Sequence, residues 1–500
     1  MIILILESCT DVSVSSKKSN SNVELTNDEI IRLPLLGGDY SVSETDARSM
    51  ATEIASKYLD SKDGINRTIA NLVTVPSLYS MTGKTLIKTD FAISKPQTPS
   101  MYVVNFKDKR GFIILSADKR NPEILATVGS GTIDSLTHIG LRIFLENSVK
   151  HVDEKVARLE SYRNDEHYKS LASKLNVTTN QTKTVNGGKA DQLACTVTIT
   201  TNVYSAIVST PYVRTPLLNT YWDQGPPYNN GQPEGASIQF GSNPALVPCS
   251  SQGRCGTNSK YLAGCVAVAE GQVVAYYYAK RGLGDWNAIT SAQIACSLSS
   301  TQSSAVSSLL HNIYLDYGIY VSRECGNTGA GLQIGDISVT NPRGISPGYG
   351  LVQGEWRSWN TGDIRNSLAN GSPVVITGSL NLCCVIYCWG CGGGHEWVID
   401  GMRDTKVTTT YQVITTYTGG GALESRTSSL PTCPVSTVSY YTETATVLTQ
   451  IHQNWGWGPG TGGDPNDWYS QDVFLSNDPY LVGDHNYDHA NYIVAYITQN

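Results

Sequence analysis

The feature that most constrains the fold is a polar segment at residues 175–197, LNVTTNQTKTVNGGKADQLACTV. It has no hydrophobic periodicity and is rich in Gly, Asn and Thr, which is typical of a linker. The composition changes across it, because charged residues are dense before it whereas Trp, Gly, Cys and Tyr become frequent after it. A chain of 500 residues also exceeds what one hydrophobic core usually organises. The sequence therefore predicts two folded blocks with a boundary near residue 190.

The block before the linker combines helical and extended patterns. The segment SETDARSMATEIASKYLD has a capping residue, early acids and apolar positions at helical spacing. Two β-rich runs around a Lys/Arg/Gly turn follow in SMYVVNFKDKRGFIILSADKRNPEILATVGSG. A second helix is indicated by THIGLRIFLENSVKHVDEKVARLESYR, whose acids and bases stand four residues apart, as on a solvated face. Residues 25–190 are therefore predicted to form an α+β block.

The N-terminal segment has features of an export signal. Its start, MIILILESC, contains a short apolar run that Glu7 ends, and Cys9 stands where a bacterial lipoprotein cysteine is acylated, although Glu7 fits that motif poorly. We expect residues 1–24 to be a leader remnant and tether, and the protein to be secreted or held at the cell surface. Lipidation of Cys9 is the one membrane attachment we expect, since no segment approaches the ~18 apolar residues of a spanning helix. The net charge of −7 argues against a nucleic-acid partner.

A single cysteine marks the start of a predicted helix in the second block. In YLAGCVAVAEGQVVAYYYAK, Cys265 precedes a helical stripe that includes Val266, Val273 and Tyr277. At the first turn of a helix the backbone N–H groups and the helix dipole favour a thiolate and lower the pKa of the thiol. Cys265 is therefore a candidate nucleophile, and the alternative is a small buried hydrophobe or half of a disulfide.

A nucleophilic thiol needs an imidazole to accept its proton, and His395 has the context for that role. In CGGGHEWVIDGM it follows three glycines and begins a strand whose alternation places His395, Trp397 and Ile399 on one face. It follows Cys265 by 130 residues, which is the Cys-to-His spacing of papain-like proteases. Glu396 is predicted to lie on the other face and to have little effect. The alternative for His395 is a structural role beside a glycine turn.

Two further motifs supply groups that such a pair would need. In NWGWGPGTGGDPNDWY, Asn454 is a candidate for fixing the imidazole ring, while Trp455 and Trp457 would exclude water. Trp/Gly clusters also occur in carbohydrate-binding domains, so this motif does not decide the function alone. In PLLNTYWDQGPPYN, the amide of Gln224 is a candidate oxyanion donor.

Taken in order, these motifs resemble the streptopain family of bacterial cysteine peptidases. The nucleophile segment of that family is similar to GCVAVAEGQVVAYY, its histidine segment to GGHEWVIDG and its third motif to NWGWG. The run YVVNFKDKRGFIILSADKRNPEILA also resembles the inhibitory propeptide of the family. The resemblance covers most of residues 40–475.

The resemblance implies a papain-like fold of two lobes, one helical and one β-rich, with Cys265 and His395 on opposite lobes. Gln224 would donate to the oxyanion, and Trp455 and Trp457 would shield or orient His395, taking over part of the role that an asparagine has in papain. The family is made as a zymogen. Residues 25–190 would therefore be an inhibitory propeptide, and 191–500 the catalytic domain, acting on protein or peptide substrates. The resemblance implies no cofactor.

Two segments depart from the family pattern. Cys383, Cys384, Cys388 and Cys391 stand just before His395, and they fit either disulfides or half of a zinc site, although the adjacent pair makes tetrahedral coordination awkward. We favour disulfides and predict no metal. Residues 405–450 are longer than expected and are rich in Thr, Val and Tyr, which predicts strands or a hairpin insertion.

The sequence leaves two hypotheses for the function. The first is a secreted cysteine endopeptidase made as a zymogen. The second is a non-catalytic adhesin or carbohydrate-binding protein that keeps the papain-like frame, which would be expected to lose at least one essential residue. The start of HEWVI resembles a zinc-protease motif, but Ile399 stands where the second histidine would be. Cys265, His395 and Gln224 are all present, and this favours the peptidase.

Overall fold

A computed structural model gives the fold of the protein. It describes residues 25–36, 40–60, 64–76, 79–82, 85–88, 99–133, 139–175, 196–232, 236–238, 246–248, 251–253, 255–292, 295–317, 320–321, 330–331, 347–354, 357–379, 394–418, 437–442, 446–456, 458, 466–474 and 492–499. Helices and antiparallel strands are mixed in these ranges, so the protein is α+β, as predicted. No helix among them is both long enough and apolar enough to cross a membrane.

The helices and strands of these ranges are numbered in chain order. The α-helices are α1 (Asn27–Ile30), α2 (Glu44–Ile54), α3 (Ile139–Ser161), α4 (Glu166–Lys174), α5 (Cys265–Lys280), α6 (Trp286–Ser291), α7 (Ser300–Tyr317) and α8 (Thr361–Ala369). Shorter helical segments lie at Leu33–Leu36, Ala55–Asp60, Lys107–Lys109, Tyr162–Asn164, Ala295–Ser297, Pro347–Tyr349 and Gln471–Phe474. The strands are β1 (Ile69–Pro76), β2 (Tyr79–Thr82), β3 (Thr85–Lys88), β4 (Pro99–Phe106), β5 (Phe112–Ser116), β6 (Ile124–Val128), β7 (Thr196–Arg214), β8 (Ala236–Ile238), β9 (Leu246–Pro248), β10 (Ser251–Gly253), β11 (Gly256–Asn258), β12 (Tyr320–Val321), β13 (Ala330–Gly331), β14 (Leu351–Gln353), β15 (Arg357–Ser358), β16 (Val374–Ser379), β17 (Gly394–Thr418), β18 (Thr437–Thr442), β19 (Thr446–Asn454), β20 (Asp467–Ser470) and β21 (Tyr492–Gln499).

The described residues divide between two compact units. The smaller unit is drawn from Met1–Tyr40, Arg158–Ala206 and Thr408–Ala445, and the larger from Ser41–Ala157, Ile207–Val407 and Thr446–Asn500. The larger unit holds residues 41–157 of the first block and the motifs around Cys265 and His395.

The first block of the larger unit forms as its sequence predicts. Ser43 caps α2, where its hydroxyl accepts the N–H of Asp46, and the helix buries a stripe of small and aliphatic residues. Strands β4 and β5 join through a turn at Lys107–Lys109 and pair antiparallel. The glycine that ends this turn, Gly111, has a φ of 101°, and an added Cβ would collide with the Val128 carbonyl. Only glycine fits this close approach between β5 and β6.

A single sheet joins the first block to the second. Its strand order is β1-β4-β5-β6-β20-β19-β17-β16-β21-β14. The joint between the blocks is β6 against β20, where Thr127 faces Trp468 and Ala126 faces Tyr469. The first block is thus connected to the second by backbone pairing as well as by the chain.

One hydrophobic core extends across this joint. Phe144 on α3 packs edge-on against Tyr469, with ring centroids 4.8 Å apart, and also contacts Phe474. Trp397, Ile399 and other residues of the second block belong to the same buried cluster. The two blocks therefore do not have separate cores on this side of the sheet.

The opposite face of the second block's sheet is covered by helices. Val375 on β16 and Val398 on β17 belong to a second buried cluster with Val266 and Val273 of α5 and Leu310 of α7. Helix α5 is buried along nearly its whole length. This matches its continuous apolar sequence and makes it the central helix of the second block.

The smaller unit has its own packing. Thr26 and Glu29 form a reciprocal capping box at α1. Arg32 is held by Asp165, with its Nε 2.9 Å from Oδ2. Leu33, Leu171 and Val413 share a buried cluster. The C-terminal part of β17 therefore packs against the short helical segment Leu33–Leu36 and against α4.

Most predicted elements of the sequence are confirmed. The two helices and the β-rich runs of the first block are present, and residues 405–450 contain the end of β17, β18 and β19, as the Thr/Val/Tyr pattern predicts. The linker is shorter than 175–197 at its end, because β7 begins at Thr196 with a run of β-branched residues. Its residues 176–195 and the leader with Cys9 lie outside the described residues. The two-lobed architecture and the boundary at residue 190 stay predictions.

Candidate active site

Cys265 is the first residue of α5. Gly264, the N-cap, has a φ of 89°, which turns the chain sharply into the helix. The backbone N–H groups of Glu396 on β17, and of Cys265 and Val266 at the start of the helix, lie near the sulfur and act to lower the pKa of the thiol. Cys265 carries a thiol rather than a disulfide and is only 6% exposed. Its sulfur therefore lies against the residue that follows His395.

Burial controls the ionisation of this thiol. Desolvation, followed by the negative charge of Glu396, raises the pKa of Cys265 to about 12, and the three backbone N–H groups lower it less than these two effects raise it. The expectation that the helix start lowers the pKa of Cys265 is therefore wrong for the full chain. The free-energy cost of removing a thiolate from water is larger than the stabilisation that the helix terminus gives to it.

His395 is held at the start of β17 by the NWGWG motif. Its Nε2 lies 2.8 Å from the carbonyl oxygen of Trp455. A carbonyl can only accept, so Nε2 carries the hydrogen, and in the neutral ring the lone pair is on Nδ1. The ring stacks on Trp397, with centroids 5.7 Å apart, and on Trp455, at 6.5 Å. His395 is thus oriented to accept a proton at Nδ1 and is shielded from water.

Asn454 has a different role from the one suggested by papain. Its Nδ2 donates to the Thr220 carbonyl at 2.9 Å, and its Oδ1 accepts the N–H of Gly456 at 3.2 Å. It therefore ties the motif to the segment before Gln224, while the backbone of Trp455 bonds the imidazole. Trp457 lies outside the described residues.

Gln224 is positioned by the loop that leads to Cys265. Its carbonyl accepts the N–H of Ala263 at 2.9 Å, two residues before the cysteine. The side chain is 2% exposed, and within the described residues neither its Nε2 nor its Oε1 has a hydrogen-bond partner. A buried amide without a partner is costly to the fold. Within the described residues, the fold therefore does not use its side-chain donor.

Two buried acids lie in this region, and one of them, Glu270, was not recognised from the sequence. Glu270 on α5 is 0% exposed and Glu396 on β17 is 2% exposed. Burial, and then the charge of Glu270, raises the pKa of Glu396 well above its usual value. The expectation that Glu396 has little effect is wrong, since its charge in turn raises the pKa of Cys265. The sequence feature that could have indicated a buried acid is the single glutamate, Glu270, inside the apolar run CVAVAEGQVVA.

The cysteines give one disulfide in the described residues, between Cys255 and Cys296. It links the segment just before Cys265 to the short helix after α6. Cys383, Cys384, Cys388 and Cys391 lie outside the described residues. No cluster of His, Cys, Asp or Glu that could hold a metal ion occurs in the ranges that the structure describes.

Comparison with known families finds a match in the first block. Residues 41–152 match the family described as Spi protease inhibitor, which is the propeptide domain of streptopain-type proteases. The match ends before Gln224, Cys265 and His395. A search of curated proteins found no sequence similar to this chain. The matched family indicates a peptidase that is made with a propeptide.

Proposed function

We propose that the chain is the zymogen of a secreted cysteine endopeptidase, with Cys265 as nucleophile and His395 as base. The observation that carries the proposal is the arrangement of these two residues: the Cys265 sulfur lies near the backbone N–H of Glu396, and the imidazole of the preceding residue is fixed through Nε2 by Trp455. This leaves Nδ1 as the proton acceptor. The match of residues 41–152 to a protease-inhibitor family adds independent support.

In the proposed mechanism, Nδ1 of His395 takes the proton of the Cys265 thiol, and the thiolate attacks the substrate carbonyl carbon. The negative oxygen of the tetrahedral intermediate is stabilised by the Gln224 amide and the backbone N–H of Cys265. The C–N bond then breaks, the amine leaves with the proton from His395, and a thioester remains. Water activated by His395 hydrolyses the thioester and restores the thiol.

The first block is proposed to act as an inhibitor within the same chain. Besides the β6–β20 pairing, Asp467 accepts the N–H of Gly129 at 2.7 Å, and Arg403 donates to Thr127 at 2.7 Å. These contacts and the shared core bind residues 41–152 to the strands that carry the His395 motif. Residues 25–190 would thus keep the enzyme latent until they are cut away, and 191–500 would be the mature enzyme. A surface location through Cys9 is part of the same proposal.

Active-site labelling tests the function. The full-length protein is treated with iodoacetamide before and after limited proteolysis of its linker, and the modified cysteine is identified by mass spectrometry. Fast, stoichiometric labelling of Cys265 after proteolysis, together with hydrolysis of a casein substrate, supports the peptidase. Equal, slow labelling of several cysteines without hydrolysis would overturn it and favour the non-catalytic surface protein.

Matched histidine variants identify the base. His395→Ala should abolish both fast labelling and hydrolysis. His311→Ala changes a partly buried histidine on α7 that bonds Gln232, away from the proposed pair, and should leave both unchanged. Equal losses in the two variants would argue against His395 as the base.

A further inference from the structure

Two buried carboxyl groups lie beside the proposed nucleophile and have no part in the mechanism above. Glu270 and Glu396 are 0% and 2% exposed. An acid removed from water this completely is either paired with a cation or kept neutral. The structure gives the surroundings that decide between these two states.

The backbone places both acids between β17 and α5. Side chains alternate along a strand, so Glu396 shares a face with Val398, which packs in the cluster formed with α5. On that helix Glu270 follows Val266 by one turn, on the stripe that continues to Val273. The backbone N–H of Glu396 also lies near the Cys265 sulfur. The nucleophile and the two acids thus belong to one interface between a helix and a sheet.

No cation among the described residues compensates Glu396. Within the described residues, neither of its carboxyl oxygens has a hydrogen-bond partner, and no Lys, Arg or His forms an ion pair with it. The titratable groups facing it from α5 are Cys265 and Glu270, and His395 is next to it on its own strand. Thr377 is its neighbour on β16. Burial and the charge of Glu270 both favour the protonated form of Glu396.

We propose that Glu396 is kept protonated by its burial beside Glu270, and that the two acids act as positioning residues that set the pH range in which Cys265 and His395 form their ion pair. This inference rests on the proposed function. While Glu396 holds its proton, the two acids together carry less negative charge and the thiolate can form. When the proton leaves to solvent at higher pH, a second buried anion stands beside the sulfur. It repels the thiolate and stabilises the imidazolium, so sulfur and imidazole each keep a proton and attack on the substrate stops.

The pH dependence of Cys265 alkylation tests this proposal in the full-length protein. The variants are Glu396→Gln and Glu270→Gln, which keep the shape of each side chain and remove its charge, with Asp285→Asn as a control at an exposed acid of the same block. The midpoint of iodoacetamide alkylation should fall by about one pH unit or more in Glu396→Gln. It should also fall in Glu270→Gln and stay at the wild-type value in Asp285→Asn.

Peptide hydrolysis by the proteolysed full-length chain supplies the second readout. The alkaline limb of the kcat/KM profile should move to higher pH in both Gln variants, whereas a purely structural role would lower the rate equally at every pH. Unchanged alkylation midpoints in both variants would overturn the inference. If Glu396→Gln does not fold, the alkylation midpoint of Glu270→Gln alone tests the inference. If the alkylation midpoints shift but the protein hydrolyses no peptide, the effect of the two acids on Cys265 is supported and the proposed peptidase function is overturned.

Discussion

His395 and Trp455 are joined in two ways: the imidazole donates through Nε2 to the Trp455 carbonyl, and the two rings stack at an interplanar angle of 22°. The orientation of the proposed base thus depends on the backbone of residues 455–456, just after β19, rather than on a side-chain amide. Any change that moves this backbone segment should affect the base without touching it.

Gly456, which follows Trp455, tests this dependence. Its φ is 67°, and an added Cβ would lie 2.9 Å from Cγ1 of Val268. Gly456→Ala should therefore displace the Trp455 carbonyl and lower kcat/KM by up to about 100-fold, since small misplacements of catalytic groups have large effects. The measurement is steady-state peptide hydrolysis after proteolytic removal of the linker.

The control for this variant is Gly282→Ala. Gly282 has a φ of 68°, but an added Cβ would meet no atom within 4 Å. Both variants should lose about 1–2 kcal/mol of stability from the left-handed backbone, and only Gly456→Ala should lose activity. Equal activity in the two variants would refute the role of the 455–456 backbone in orienting His395.

Gln224→Ala should reduce kcat and leave the fold intact. The Gln224 side chain has no hydrogen-bond partner among the described residues, so its removal breaks no bond of the folded state. Loss of one oxyanion donor lowers kcat by roughly 10²–10³-fold. Gln272→Ala is the contrasting variant, because its Oε1 accepts the Thr220 hydroxyl at 2.7 Å, and it should lower the melting temperature. A normal kcat in Gln224→Ala would remove this residue from the mechanism.

Glu123 should make the full-length protein sensitive to acid. Burial alone would raise the pKa of Glu123, but the charges and hydrogen bonds of His151 and Lys155 lower it to about 2. A carboxyl group whose pKa falls on folding stabilises the fold at pH values above its unfolded pKa, which is near 4.5. This contribution to the free energy of unfolding is lost as the pH falls from about 4.5 to about 2. Denaturant unfolding should show a loss of about 3 kcal/mol over that window from this group.

Glu123→Gln should remove this part of the pH dependence, although it is less stable at neutral pH. Glu123 also accepts the Ser470 hydroxyl at 3.3 Å, so the same acid window should weaken the contact between the first block and β20. A wild-type pH profile in Glu123→Gln would show that the acid sensitivity arises elsewhere.

Phe144→Ala should loosen the first block from the second. Phe144 is fully buried against Tyr469 and Phe474, and truncating such a residue costs about 3–5 kcal/mol. We expect faster activation, measured as the time course of hydrolysis after linker cleavage. Val73→Ala, at a 37% exposed position of β1, should activate at the wild-type rate. Activation of Phe144→Ala at the wild-type rate would show that the shared core does not maintain latency.

Local sequence patterns predicted much of the fold. The capping residue Ser43 and the apolar spacing after it predicted α2, and alternation after His395 predicted the start of β17, because both patterns depend on neighbours within a few residues. The pairing of Thr127 with Trp468 was not predictable in this way, because it joins positions about 340 residues apart and depends on tertiary packing.

Within the candidate site, the motifs identified the residues but not their ionisation. The position of Cys265 at a helix start predicted a lowered pKa, whereas burial and the charge of Glu396 raise it. Asn454 was a candidate partner for His395, but the backbone of Trp455 takes that place. A single sequence does not indicate which of two adjacent groups, a side chain or a carbonyl, reaches a ring.

The β6–β20 joint has a consequence for activation. Scission of the segment between Leu175 and Thr196 would break none of the ladder bonds or aromatic contacts that hold the halves together. A nicked molecule should thus persist as a tight two-fragment complex, and the appearance of activity would be timed by fragment escape or by digestion of the released piece, rather than by the first cut.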